Sequence, residues 1–271
     1  MKIGKVQMCL GVIASVAVLG VSVTRADIRD TIQNATSGTT VQCSGSYTVS
    51  PMKVPAGVTV KGPATFTFND STRDGFTMKG ANATLQSLTI KGANRAANIY
   101  ASGCKVVNCT ATGNHDTAIN CDGASSATIS GCTAYGNADP GGGNADGFGV
   151  KSASGSGISF SSCISYNNSD DGFDFYEATA PVTVSGCQAY SNGSYNGAQG
   201  NGDGFKMGGQ YNVAHTYSSC TAHNNTAGST ARGFDTNHNT AAIKLTSCHS
   251  YSNKNKDVLG NCVLSNCTMQ Q

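Results

Sequence analysis

The sequence predicts an all-β chain wound as a parallel β-helix, a solenoid of stacked coils with a short N-terminal capping helix. Two recurrences carry that expectation. A cysteine phrase returns from Cys109 onward: Cys109-Thr-Ala-Thr-Gly-Asn114, Cys132-Thr-Ala-Tyr-Gly-Asn137, Cys163-Ile-Ser-Tyr-Asn-Asn168, Cys187-Gln-Ala-Tyr-Ser-Asn192, Cys220-Thr-Ala-His-Asn-Asn225 and Cys248-His-Ser-Tyr-Ser-Asn253, with Cys267-Thr-Met as a truncated last copy. A second phrase, Asp-Gly-Phe, returns at 146–148, 171–173 and 203–205, with an outlying copy at 74–76 and a variant, Arg232-Gly233-Phe234. Successive cysteines lie 23, 31, 24, 33, 28 and 19 residues apart. Equal phrases at unequal spacing describe constant coils joined by variable loops. A propeller blade needs about 40 residues, and leucine-rich repeats carry Leu at fixed places.

Taken in order, residues 1–26 read as a secretory leader: Lys2 and Lys5, an apolar run from Met8 to Val23, and small residues at Thr24 and Ala26 that place cleavage before Asp27. The run falls short of the ~20 apolar residues of a membrane span and is diluted by Gly and Ser. Export is expected, with no membrane attachment after cleavage and one elongated domain over 27–271. Asp27–Ala35 places Ile28 and Ile32 four apart, one stripe of a short amphipathic helix suited to capping the first coil. Thr39–Cys43, Tyr47–Val49, Val58–Val60 and Thr65–Phe68 follow as short β-rich runs broken by Gly, Pro or Ser. The net charge is +2, from 17 basic and 15 acidic residues, without a basic block, so nucleic acid is not an expected partner.

In a parallel β-helix equivalent residues stack at about 4.8 Å. The repeated Cys then form an interior file of small apolar thiols, the Asn a file of amides at a tight turn, and the Phe an interior aromatic stack. A file with one thiol per coil calls for no disulfides, although Cys104 with Cys109, or Cys262 with Cys267, could still pair.

The stacking also gathers charge. Asp170, Asp171 and Asp174 fall within five residues, and Asp146 aligns with Asp171 one coil earlier. Four carboxylates from adjacent coils suit Ca²⁺, which takes about 6–8 oxygen ligands in irregular geometry. The competing reading of each Asp-Gly is a turn, and Asp74 and Asp203 fit that reading alone. Lys206 aligns with Asp174 one coil on. Strand alternation after an inward Phe205 turns it outward beside Asp174. Lys79, Lys151 and Lys244 suit ordinary surface roles.

These phrases resemble the pectate lyases of polysaccharide lyase family 9. The likeness rests on Asn-Ala-Asp-Gly-Phe, Asp-Asp-Gly-Phe-Asp-Phe-Tyr, Gly-Asn-Gly-Asp-Gly-Phe-Lys-Met-Gly-Gly and Ala-Arg-Gly-Phe-Asp-Thr-Asn, in order over about residues 140–240. It implies a right-handed parallel β-helix, a catalytic Ca²⁺ held by Asp146, Asp170, Asp171 and Asp174, and Lys206 as the base that takes the C5 proton of polygalacturonate in a β-elimination. Arg232 and Lys151 are candidates for binding substrate, and a monomer is expected. Two features depart from the family: Asp203 stands where Asn is expected, and the chain is short. Two other readings compete. A polygalacturonase-type hydrolase would use the carboxylates as acid and base. A non-catalytic adhesin would explain the Gly, Asn and Cys repeats but not a site confined to 146–206.

Overall fold

The structure is a computed structural model that describes residues 25–270 except Gly142, with side chains from Ile28 onward. Residues 1–24, which hold nearly all of the expected leader, lie outside the described residues.

The chain winds into three parallel strand ladders. One stacks short strands such as Lys105–Val107, Thr128–Ser130 and Ser159–Ser161. A second stacks Thr110–Thr112, Thr133–Tyr135 and Ile164–Tyr166. The long early strands Thr59–Phe68 and Thr84–Lys91 join these two into one 18-stranded sheet. The third ladder is a separate nine-stranded sheet running from Met52–Lys53 to Val258–Leu259. Every pairing in these sheets is parallel, and stacking begins at Thr40. That is well before the first cysteine phrase. The early coils fill their interior with Val, Leu and Phe instead, including Val60, Leu85, Phe66 and Phe68.

The cysteine phrase has a backbone cause. The residue before each Cys is in the left-handed region: Asn108 (φ 52°), Gly131 (61°), Ser162 (51°), Gly186 (60°), Ser219 (52°), Ser247 (52°) and Asn266 (52°). The residue before each Asn repeats that geometry, from Gly113 (63°) to Ser252 (56°). Gly bears such a φ at no steric cost and Asn bears it at little. Two sharp bends per coil, five residues apart, therefore write the same small residues into every copy.

Between the bends the stacks form as expected. Each Asn amide donates to the Oδ1 of the Asn one coil on, at 2.9 Å (Asn114 to Asn137), 2.8 Å (Asn137 to Asn168), 3.0 Å (Asn168 to Asn192), 3.3 Å (Asn192 to Asn225) and 2.9 Å (Asn225 to Asn253). The same oxygens also accept backbone N–H groups, as from Asn114 at 3.0 Å. Loss of one amide would strand buried donors at about 1–3 kcal/mol each. Phe148, Phe173, Phe205 and Phe234 stack at 4.8, 4.7 and 4.8 Å between centroids. The outlying Phe76 enters the same file through Ala97 and Ile119. An unforeseen row runs along the outside, where Tyr135, Tyr166, Tyr190, His223 and Tyr251 stack 4.9–5.1 Å apart and within 10° of parallel.

The N-terminal helix spans Arg25–Gln33, two residues earlier than expected, and buries Ile28 and Ile32 against the first coil. It covers a strand edge that would otherwise be open to pairing. The loops absorb the unequal spacing: the 33-residue interval after Cys187 contains a hairpin, Ser194–Tyr195 against Ala198–Gln199.

All eleven cysteines among the described residues are free, and nine of them are buried. Cys104 and Cys109, and Cys262 and Cys267, are likewise unpaired. A thiol reagent should therefore react slowly with the native protein and promptly with all eleven thiols after denaturation without reductant. Recovery of fewer than half would mean that the file is oxidised.

Candidate active site

The Asp-Gly-Phe phrase ends each turn into the nine-stranded sheet, with Phe packed inward. The residue after Phe faces out and forms a row along the helix axis: Asn98, Asn120, Gly149, Asp174, Lys206, Asp235. The Asp of each phrase lies on the turn itself, and its two oxygens have different duties. Asp146 Oδ1 accepts the Asp171 N–H at 3.1 Å, Asp171 Oδ1 accepts the Asp203 N–H at 2.7 Å, and Asp203 Oδ1 accepts the Arg232 N–H at 2.8 Å. One oxygen thus pins the turn one coil ahead. The turn reading and the cation reading of these residues are compatible, because the turn does not use the second oxygen; Asp146 Oδ2 also accepts the Thr117 hydroxyl at 2.8 Å.

Carboxylate oxygens from two of these turns and the strand after them converge. Asp146, Asp171 and Asp174, all buried, bring one carboxylate oxygen each within 4.8 Å of one another. Asp170 stands beside them, but its Oδ1 accepts the Asn201 N–H at 2.6 Å. Lys206 Nζ lies 3.1 Å from Asp171 Oδ2 and 3.3 Å from Asp174 Oδ2, and its side chain is only 11% exposed. The expected outward direction holds, but the amine is sheltered beneath the Tyr176 ring, 5.6 Å from its centroid. Lys151 Nζ pairs with Asp174 Oδ2 and lies 3.5 Å from Asp146 Oδ2. Arg232 pairs with Asp235, one coil beyond Lys206, at the edge of a groove of about 710 Å³ that also includes Thr236, His238, Asn239 and Asn261. Lys79 sits over the Tyr100 ring, 4.9 Å from its centroid and apart from the carboxylates.

A family model described as Pel9A-like, right handed beta helix region, matches residues 21–266. The chain belongs to the Pel9A-like right-handed β-helix family. Among curated relatives, it is 37% identical over 139 residues to pectate lyase L of Dickeya chrysanthemi, a stretch covering 49% of this chain and 32% of that one. It is 40% identical over 123 residues to pectate lyase L of Thermoclostridium stercorarium, covering 42% of this chain and 10% of the relative. The chain thus spans about a third or less of the length of these relatives. Among solved structures, it superposes on pectate lyase Pel9A with a TM-score of 0.77 at 25% identity, covering 89% of this chain and 72% of that one. A rhamnogalacturonan lyase shares the fold, with a TM-score of 0.71 at 22% identity over 84% of this chain and 68% of the other.

The electrostatics of the site suit a hard cation. Burial pushes Asp146 and Asp171 up to about 7, against the pull of Lys151 and Lys206 respectively. Burial, with Asp171 and Asp146 adding to it, pushes Asp170 up to about 9. Burial opposes ionisation of Asp174 too, yet Lys151 and Lys206 outweigh it and hold that carboxyl below its usual value. Burial alone would lower both lysines, but the carboxylates hold them well above the ordinary lysine range. Asp171 Oδ2 accepts no well-aligned hydrogen bond despite being buried. Crowded carboxylates with unspent acceptor capacity and all-oxygen donors fit Ca²⁺ and give no reason for zinc.

The raised carboxyls carry a stability consequence. Their folded values exceed the unfolded value of about 3.9, so between about pH 4 and 7 these carboxyls bind more protons folded than unfolded and outnumber His215, which burial lowers to about 4 and which acts in the opposite direction. Asp203, pushed up to about 6 mainly by burial, acts in the same direction as these carboxyls. Asp174 is lowered and is already ionised in both states above about pH 4.5, and the lysine contributions are constant well below about pH 10. In chelator the melting temperature should therefore fall as pH rises from about 4.5 to 7.5. A scan showing it flat or rising would contradict this charge balance.

Proposed function

We propose that this chain is an exported, calcium-dependent pectate lyase that cleaves polygalacturonate by β-elimination. The observation that carries the proposal is the contact of one sheltered amine, Lys206 Nζ, with two carboxylates of a converging triad. The family and the names of the relatives point the same way. Residues 1–26 support export.

Asp146, Asp171 and Asp174, with Asp170 beside them, would hold the cation. When bound, Ca²⁺ would supply Lewis-acid polarisation of the substrate carboxylate, making the neighbouring C5 proton more acidic. Lys206 takes that proton, the C5–H electrons form the C4–C5 double bond, and the C4–O bond breaks with its electrons leaving on oxygen. A base must be neutral, whereas the carboxylates hold Lys206 protonated. Neutralisation of their charge is what frees Lys206 to act near neutral or alkaline pH. Arg232, on the groove one coil further, provides a positive charge for a neighbouring uronate carboxylate.

Polygalacturonate incubated with the purified chain in calcium chloride should yield ultraviolet-absorbing unsaturated ends, and chelator should stop their formation. New reducing ends without that absorbance would establish hydrolysis instead. Binding without any cleavage would leave the adhesin reading.

A further inference from the structure

Lys151 occupies the place a cation would take. It ends the strand Phe148–Lys151, in which Phe148 and Val150 face the core. Its arm does not extend to solvent. It folds back across Gly149 to put Nζ against Asp174 Oδ2 and near Asp146 Oδ2, two of the three converging carboxylates.

Gly149 makes that path possible. It needs no special φ, yet its register neighbours on either side, Asn120 and Asp174, both carry side chains. A Cβ at 149 would lie 2.8 Å from both Asn120 Oδ1 and Thr117 Cγ2 and 3.5 Å from Lys151 Cε. The notch therefore exists for space, and the lysine arm runs beside it. At its floor, Asn120 Oδ1 is buried and accepts no hydrogen bond. A stranded buried acceptor is a cost carried by this arrangement.

Asp174 Oδ2 already receives both lysines. It cannot keep two ammonium groups and also coordinate a metal ion. Each lysine also lies near a second triad carboxylate, Asp171 for Lys206 and Asp146 for Lys151, and each has an Asp as register partner outside the triad. Asp235, beside Lys206, is already paired with Arg232, whereas Asp122, one coil before Lys151 on the same face, has no ion pair among the described residues.

We propose that Lys151 is a displaceable counter-cation, a side chain that fills the carboxylate site until a divalent cation expels it towards Asp122. The inference rests on the calcium reading of the site and adds a function for Lys151. It makes the residue a determinant of cation selectivity, since a monovalent ion offers the carboxylates no more charge than the tethered ammonium it would replace. Displacement also leaves that ammonium at the rim of the site, where a uronate carboxylate would meet it.

The test is calorimetric titration of calcium chloride into chelator-stripped protein, comparing wild type with Lys151→Met and with Lys79→Met. Lys79 carries the same charge on the same face three coils earlier, roughly 14 Å away by coil spacing and beyond a Debye length at physiological salt. Lys151→Met should bind Ca²⁺ at least about tenfold more tightly, the scale of one charged hydrogen bond no longer in competition. Lys79→Met should match wild type. In wild-type protein, reductive methylation of Lys151 followed by mass spectrometry should be slow in chelator and fast in saturating Ca²⁺, a readout independent of whether the variant folds. Unchanged affinity in Lys151→Met, equal gains in both variants, or methylation of Lys151 indifferent to Ca²⁺ would overturn the displacement. Failure of wild type and both variants to bind Ca²⁺ would refute the calcium reading itself, and this inference with it.

Discussion

Lys206→Ala should lower kcat on polygalacturonate by at least about 10²–10⁴-fold, the worth of one positioned proton transfer. The substitution removes the amine that touches Asp171 and Asp174 while leaving Phe205 in its stack and the strand Phe205–Lys206 in register. Folding should survive in Ca²⁺. In chelator, loss of this cation should push the Asp171 carboxyl further up, because Lys206 opposes the effect of burial there. Calcium affinity should hold or increase. Lys206→Arg should fail to restore activity, since guanidinium surrenders its proton far less readily than ammonium. Near-normal kcat in the alanine variant, with unsaturated product still forming, would assign the proton to another group.

Asp171→Asn should weaken Ca²⁺ binding by more than the about 10–100-fold that loss of even an outer partner of a metal site costs. Asparagine is the informative replacement because the two oxygens of Asp171 act separately. Its amide oxygen can still accept the Asp203 N–H that Oδ1 now holds at 2.7 Å, so the turn is kept while the charge is lost. Alanine would remove both and confuse a broken turn with a broken metal site. The asparagine chain should melt near the wild-type temperature in chelator, and calcium chloride should raise that temperature much less than in wild type. Full activity of Asp171→Asn in low Ca²⁺ would remove this carboxylate from the metal site.

Much of the architecture was legible because each coil must make the same two left-handed bends. Few residue types tolerate them, so the bends mark the chain at Asn108, Gly131, Ser162 and their successors. The early coils from Thr40 were legible only as β-rich texture, since their long strands bury varied apolar residues and repeat no phrase. The outer Tyr135–Tyr251 row was spelled out in the cysteine phrase, three residues after most of its cysteines. Its stacking became visible only once the register was known.

At the site, register arithmetic aligned Asp146 with Asp171, and Asp174 with Lys206, as the strand pairings have them. What alignment could not supply was the use of single atoms. The Asp-Gly positions posed a choice between turn and ligand that dissolves when Oδ1 and Oδ2 are followed separately. Asp170 looked equivalent to its neighbours, but the three oxygens that converge come from Asp146, Asp171 and Asp174. Lys151 reads as a surface residue because nothing in its own neighbourhood signals that Gly149 clears a path for its arm.

The file of unpaired thiols sets how this protein survives heat and time. Once the coils separate, eleven cysteines become reactive together in one chain, with many wrong partners at short range. In air, oxidation of the opened chain competes with rewinding, and a single mismatched bridge would hold two coils out of register. Thermal unfolding without reductant would then be irreversible, and the useful measure of durability becomes the rate of opening, a half-life at a given temperature in place of an equilibrium free energy. Interactions absent from the folding transition state lengthen that half-life most, because they act on the escape rate without altering the start of assembly.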